Sequence, residues 1–168
     1  ARTLHGLGQS RAHGGCAAAA RRSLVSERSC GTCTACCNAL AIEELDKPGF
    51  QTCTHVQSND ADGCAGCAIY STRPGCCQDF RCLWLQGHLR TEDRPDKLGV
   101  IFTTTEHPDL GTIPLLIEVR EDAVNQPVIK DAVERLLRQA PVAVSTPAGG
   151  KLIRPTPLTV EGAIIDAA

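Results

Sequence analysis

Aromatic residues are scarce: the 168-residue chain has one Trp, one Tyr and three Phe. Large apolar anchors are few, so Leu, Ile, Val and the cysteines must carry the packing. A basic surplus is also missing. The formal net charge is -2, which argues against a general nucleic-acid or membrane-surface binder. No run reaches the roughly 18–20 apolar residues of a membrane span. G-x-S-x-G, H-E-x-x-H and a phosphate loop are absent, so standard hydrolase and nucleotide-binding chemistries have no support. Gly6-Leu7-Gly8 lacks a strand–turn–helix context. With no catalytic constellation, the chain reads as a binding protein rather than an enzyme.

What the chain has in abundance is cysteine. Ten of the eleven cysteines fall between Cys30 and Cys82. Disulfides, metal ligation and redox thiols are the three chemistries that explain such a density. The odd count, the lack of a secretory signal and a length that can bury a core all disfavour a disulfide framework. Three C-x-x-C units occur, at Cys30/Cys33, Cys33/Cys36 and Cys64/Cys67. Two intervening residues let a tight turn aim both sulfurs at one ion, which points to metal. Four thiolates close a zinc site and four also hold an iron–sulfur cluster, so the stretch has ligands for two sites. Cys36 and Cys37 are adjacent and their side chains tend to diverge, towards different ions or the two halves of one cluster. Ligand softness does not choose between zinc and iron.

Charge within the stretch narrows the partners. Lys47, Arg73 and Arg81 face Glu43, Glu44, Asp46, Asp60, Asp62 and Asp79 before any thiol ionises. A nucleic-acid-reading zinc ribbon needs the opposite balance, so the expected partners are metal ions, without nucleic acid or membrane. The Asn59/Asp60/Asp62 spacing is calcium-like but lacks the downstream acidic ligand.

The expected fold class is α+β: a small Cys-rich, metal-organised front half with short helices, then a small β-β-α-β-β unit. Residues 1–29 read as a poorly ordered extension. They hold five arginines and one acid, a composition that also resembles an organelle transit peptide, although the expected location is cytoplasmic. Residues 30–89 form the Cys-rich region, and 90–168 an α+β region packed with it as one domain. Thr34 to Asp46 reads as a helix stopped by Lys47-Pro48-Gly49, with its N-terminus favouring nearby thiolates. Ala68–Tyr70 reads as a short strand and Arg90 to Lys97 as a charged linker. Val100–Thr105 and Pro114–Arg120 are strand candidates. The strongest helix signal runs from Val128 to Ala140, with Asn125 as N-cap, Pro127 in the first turn and Asp131/Arg135 and Glu134/Arg138 as i,i+4 pairs. Val142–Ser145 and Lys151–Arg154 suggest a hairpin. Leu158–Ile165 is ambiguous between strand and helix.

Several motifs together resemble one family. Cys33-x-x-Cys36-Cys37, Lys47-Pro48-Gly49, Cys53-x-His55, Gly66-Cys67-Ala68-Ile69-Tyr70, Arg73-Pro74-x-x-Cys77 and Phe80-x-Cys82-Leu83-Trp84 look like the YkgJ-like family, the CxxCxxCC zinc- or iron-chelating domain. The resemblance spans residue 30 to about 85. It implies eight principal ligands, namely Cys30, Cys33, Cys36, Cys37, Cys53, Cys67, Cys77 and Cys82, with Cys64 and Cys76 as extras. Gln78 stands where the family often has Arg. The domain also resembles a part of flagellin lysine methylases, whose remaining parts are not recognisable here. The function implied is chelation of zinc or iron, including an iron–sulfur cluster, with the physiological role undefined. The alternatives are an iron–sulfur redox or methyl-transfer accessory enzyme, and a thiol redox protein. His55 reads either as a further donor or as a surface histidine. Arg73 reads as a partner of the thiols, a partner of Asp79, or a surface arginine. Trp84 is expected to cap the metal site from the core. His88 and His107 read as surface residues, and Cys16 as isolated.

Overall fold

The computed structural model describes residues 28–57 and 66–155. Helix α1 (Ala35–Ala39) is followed by the two-residue strands β1 (Val56–Gln57) and β2 (Gly66–Cys67), helix α2 (Gly75–Asp79) and the single turn α3 (Pro95–Leu98). Then come β3 (Val100–His107), β4 (Gly111–Glu118), helix α4 (Pro127–Leu137), β5 (Val142–Thr146) and β6 (Gly149–Ile153). The protein is α+β, and the back half has the expected β-β-α-β-β order. Among the described residues no helix is long and apolar enough to cross a membrane. Cys16, the N-terminal extension, the Asn59/Asp60/Asp62 turn, Cys64 and the Leu158–Ile165 tail lie outside the described residues.

β1 and β2 pair antiparallel as a two-stranded sheet, and the second sheet is ordered β3-β4-β5-β6. Its pairs are antiparallel except β4 and β5, which run parallel in the register Leu115–Ala143, Leu116–Val144 and Ile117–Ser145. Parallel neighbours need a crossover, and α4 supplies it. Ile129 of α4 is buried in the core with Val100, Phe102, Leu116, Val142 and Val144. On the opposite face Ile101 and Ile117 pack against Ala35 and Ala39 of α1, with Cys33, Cys36 and Cys82 alongside. The sheet is therefore a middle layer, with α4 on one side and the Cys-rich region on the other. Both faces are covered, which is why Val100-Ile101-Phe102 is an unbroken apolar run. From Thr103 onward exposure alternates along β3, as one face reaches solvent. The outer edge of β3 is capped where the Leu83 N–H donates to the Phe102 carbonyl at 2.8 Å.

Five local expectations need correction. The Thr34–Asp46 helix is only five residues long, followed by a 3₁₀ turn at Glu43–Leu45. Tertiary partners take its carbonyls: Cys53 N–H donates to Cys37 O at 2.9 Å and Phe50 N–H to Ala39 O at 2.9 Å. Ile42 and Lys47 then pair as an isolated bridge around Asp46, which is left-handed. The short strand is Gly66–Cys67 rather than Ala68–Tyr70, since Thr72 N–H donates back to Ile69 O at 2.9 Å and starts a 3₁₀ turn. Arg90 to Lys97 is a packed corner instead of a linker. Pro95 is buried, Arg90 holds Asp93 at 2.9 Å, and Arg94 holds Asp96 at 2.7 Å. Asn125 does not cap α4. Its amide donates to Asp122 at 2.6 Å inside a preceding 3₁₀ turn, and the helix begins behind Pro127 with Gln126 extended before it. Neither Asp131/Arg135 nor Glu134/Arg138 is among the ion pairs of the described residues.

Gly99 fixes the corner between α3 and β3. Its φ is +76°, and a Cβ there would lie 2.9 Å from the Ala123 Cβ and 3.0 Å from the Arg120 Cβ. Its carbonyl accepts from Val119 N–H at 2.8 Å and Arg120 N–H at 3.1 Å. Gly99→Ala is expected to destabilise the fold by about 3 kcal/mol, combining a left-handed backbone with overpacking. Urea unfolding measures this, and a change under about 1 kcal/mol would show that the corner relaxes freely.

Candidate metal centre

Cys30 and Cys33 are joined by the tight turn expected of C-x-x-C, with Cys33 N–H donating to Cys30 O at 2.9 Å. Cys36 and Cys37 sit within α1, and Cys82 follows α2 on the way to the sheet. Cys30 is electrostatically coupled to Cys82 and Cys37, Cys33 to Cys30, and Cys36 to Cys37, Cys30 and Cys33. Cys33, Cys36 and Cys82 rest on the sheet beside Ile101 and Ile117. Cys53 is buried in the loop before β1, Cys67 lies in β2 and Cys77 in α2. Cys67 is electrostatically coupled to Cys37 and Cys53, and Cys77 to Cys37, Cys53 and Cys67. Cys53 N–H also donates to the Cys37 carbonyl at 2.9 Å. The adjacent thiols Cys36 and Cys37 shift each other in opposite directions, Cys36 up and Cys37 down.

Burial and neighbours determine the state of these thiols. Burial pushes Cys33 up to about 11, although Ala35 N–H donates to its sulfur. The helix start does favour the thiolate, as its position suggests, but desolvation wins. Its neighbour Cys37 and burial together push the Cys36 thiol up. Cys36, with Lys47 and Arg73, pulls Cys37 down against burial. Burial raises Cys30, with Cys82 adding to it and Arg73 opposing. Burial likewise raises Cys67 and Cys77. Cys76 is exposed and donates to Glu44 at 3.2 Å, which raises it to about 11.

Arg73 is half-buried against the thiols, facing Cys30, Cys37 and Cys67. Its Nε donates to the Cys77 carbonyl at 3.1 Å and its guanidinium lies 4.0 Å over the Tyr70 ring. No ion pair joins it to Asp79 among the described residues. Trp84 is buried, but its neighbours are Arg28, 5.1 Å from its ring, and the Thr91 carbonyl, which accepts from its indole at 3.1 Å. His55 is half-buried, and its backbone carbonyl accepts from Ala68 N–H at 2.8 Å. His88 is exposed, whereas His107 is half-buried and its Nδ1 accepts from Asp109 N–H at 3.2 Å in the β3–β4 turn. Lys47, read from sequence only as part of a helix stop, is buried beside Cys37 with its ammonium on the Leu40 and Pro48 carbonyls. The available signal was its isolation: it is the sole lysine between Cys30 and Cys82.

All nine described cysteines are free thiols. Among the described residues, no group of three or more His, Cys, Asp or Glu side chains is placed so that it could hold a metal ion. The thiols suit a soft metal in kind, but their placement here does not form a site.

No family model, curated protein or solved structure matches the chain.

Proposed function

We propose that the chain is a metal-binding protein, chelating zinc or iron through Cys30, Cys33, Cys36, Cys37, Cys53, Cys67, Cys77 and Cys82. The observation that carries this reading is that these eight cysteines are free thiols, with Cys33, Cys36 and Cys82 packed together on one face of the sheet and Cys53 tied to Cys37 by a backbone bond. Four thiolates saturate a tetrahedral ion and leave no open position, which favours a structural or chelating role over catalysis. The motif resemblance to the YkgJ-like family supports the same ligands. The acidic balance of the stretch supports metal ions rather than nucleic acid as partners. Free thiols in this number suit a reducing compartment such as the cytoplasm.

Metal analysis with an absorption spectrum, on protein purified without oxygen, tests the reading. A colourless protein with about two zinc ions per chain is the expected result. Broad visible absorption with iron and sulfide moves the reading to an iron–sulfur protein, including the redox or methyl-transfer accessory role. The adjacent thiols Cys36 and Cys37, which shift each other in opposite directions, favour a second reading, a thiol redox protein. Metal-free isolation with reversible two-electron oxidation of that pair, releasing two protons, would establish it instead.

A further inference from the structure

A groove of about 390 Å³ lies between α4 and the corner that leads from Leu89 to Leu98. Its lining is largely apolar, with Leu89 and Leu98 from the corner, Ile129 and Ala132 from α4, and Phe102 from β3. Val128, 42% exposed, lines it as well. The other large apolar side chain left so exposed among the described residues is Tyr70, and the Arg73 guanidinium lies over its ring. Val128 instead extends the apolar surface of a groove. Four charged side chains also line the groove, two of each sign. Arg90 and Asp93 hold one another at 2.9 Å. Asp131 and Arg135 are exposed one turn apart on α4 and form no ion pair among the described residues.

We propose that this groove is an interface between two copies of the chain, related by a two-fold axis that sets their α4 helices antiparallel. In such a contact the same patch supplies both sides, so it must be complementary to itself. Apolar walls with two acids and two bases around them meet that condition. A charged small ligand would find as many like charges there as opposite ones, and would gain little. With the helices antiparallel, Asp131 of each copy meets Arg135 of the other, and each Val128 packs over the groove of the second copy. Helix α4 has 11 residues, which makes the contact about 16 Å long. The interface therefore belongs to the small class, and the dimer is a dissociable one. Nothing in this depends on the metal-binding reading.

Sedimentation equilibrium of the full reduced chain over a concentration series tests the proposal. The average mass is expected to climb from one chain towards two as the concentration passes through roughly 10–100 µM, as suits a small interface. Val128→Asp places an acid in the first turn of α4, where the helix accepts it. It is expected to keep its far-UV circular dichroism and to weaken association about tenfold or more, by setting a charge against apolar surface. Asp131→Arg and Arg135→Asp each bring like charges together across the two-fold axis, and each is expected to weaken association about tenfold. The double variant Asp131→Arg/Arg135→Asp restores opposite charges and is expected to recover most of that loss. A single-chain mass at every concentration overturns the proposal and leaves the groove to a segment of this chain or to a different protein. Association that Val128→Asp leaves unchanged lies on another face and overturns it too. A double variant that recovers nothing overturns the antiparallel arrangement.

Discussion

Under the metal-binding reading, Cys53→Ser is expected to hold less metal than the wild-type chain, and to lose the fixed tertiary structure of the front half. Cys53 is 6% exposed, its N–H is tied to Cys37 O at 2.9 Å, and its carbonyl accepts from Val56 N–H at 3.1 Å. It therefore joins α1 to the β1–β2 hairpin. Serine keeps the size but replaces a soft thiolate with a neutral, hard hydroxyl, and adds a buried polar atom. Loss of groups that merely support a ligand weakens metal binding about 10–100-fold, so loss of a ligand itself should exceed that. The near-UV circular dichroism should decline, as Tyr70 sits against Arg73 beside the thiols. The far-UV signal of the sheet and α4 should persist, because their core of Val100, Phe102, Leu116, Ile129, Val142 and Val144 contains no cysteine. Cys76→Ser is the control: Cys76 is exposed and bonded to Glu44, and metal content should not change. Unchanged metal content and an unchanged near-UV spectrum in Cys53→Ser would remove Cys53 from the ligand set.

Ile101→Ala carries the other large effect. Ile101 is 0% exposed and sits where the sheet meets α1, Cys33, Cys36 and Cys82. Truncating such a side chain costs about 2–5 kcal/mol through lost burial and the cavity left behind. Leu116→Ala, at a residue equally buried but facing α4, should cost a similar amount. The two should differ in metal retention. Ile101→Ala loosens the floor under Cys33, Cys36 and Cys82, so transfer of zinc to a competing chelator should speed up, while Leu116→Ala should leave it near wild type. Matched urea unfolding and chelator competition on both variants measure this. Equal zinc release in the two would mean that the sheet face does not support the thiols.

The sheet and α4 were legible in the sequence because their information is local. Val100–Thr105, the Leu115–Val119 run and the periodic apolar face from Val128 each announce their own element, and the structure extends or trims them by a few residues. The front half was less legible because its backbone bonds are long-range. Nothing within Thr34–Asp46 reveals that Cys53 and Phe50 will claim the carbonyls of Cys37 and Ala39 and end the helix early. The cysteine spacings identify candidate donors, yet where Cys67 and Cys77 lie depends on the β1–β2 pairing and on α2, which no spacing reveals. Lys47 is the same lesson in reverse. Its helix-stopping neighbours Pro48 and Gly49 gave a sufficient local reason for the motif, and they concealed the burial of the charge.

The covering of the sheet's second face has a consequence for the life of the protein in a cell. Ile101, Ile117, Leu115 and Val119 are shielded from water by the Cys-rich layer. Under the metal-binding reading, that layer owes its order to the ion. A chain that never acquires metal, or gives it up, then presents a hydrophobic sheet face of the kind that chaperones and proteases recognise. Metal supply would set how long each molecule survives, and a shortage would be registered as a fall in abundance instead of a pool of empty protein.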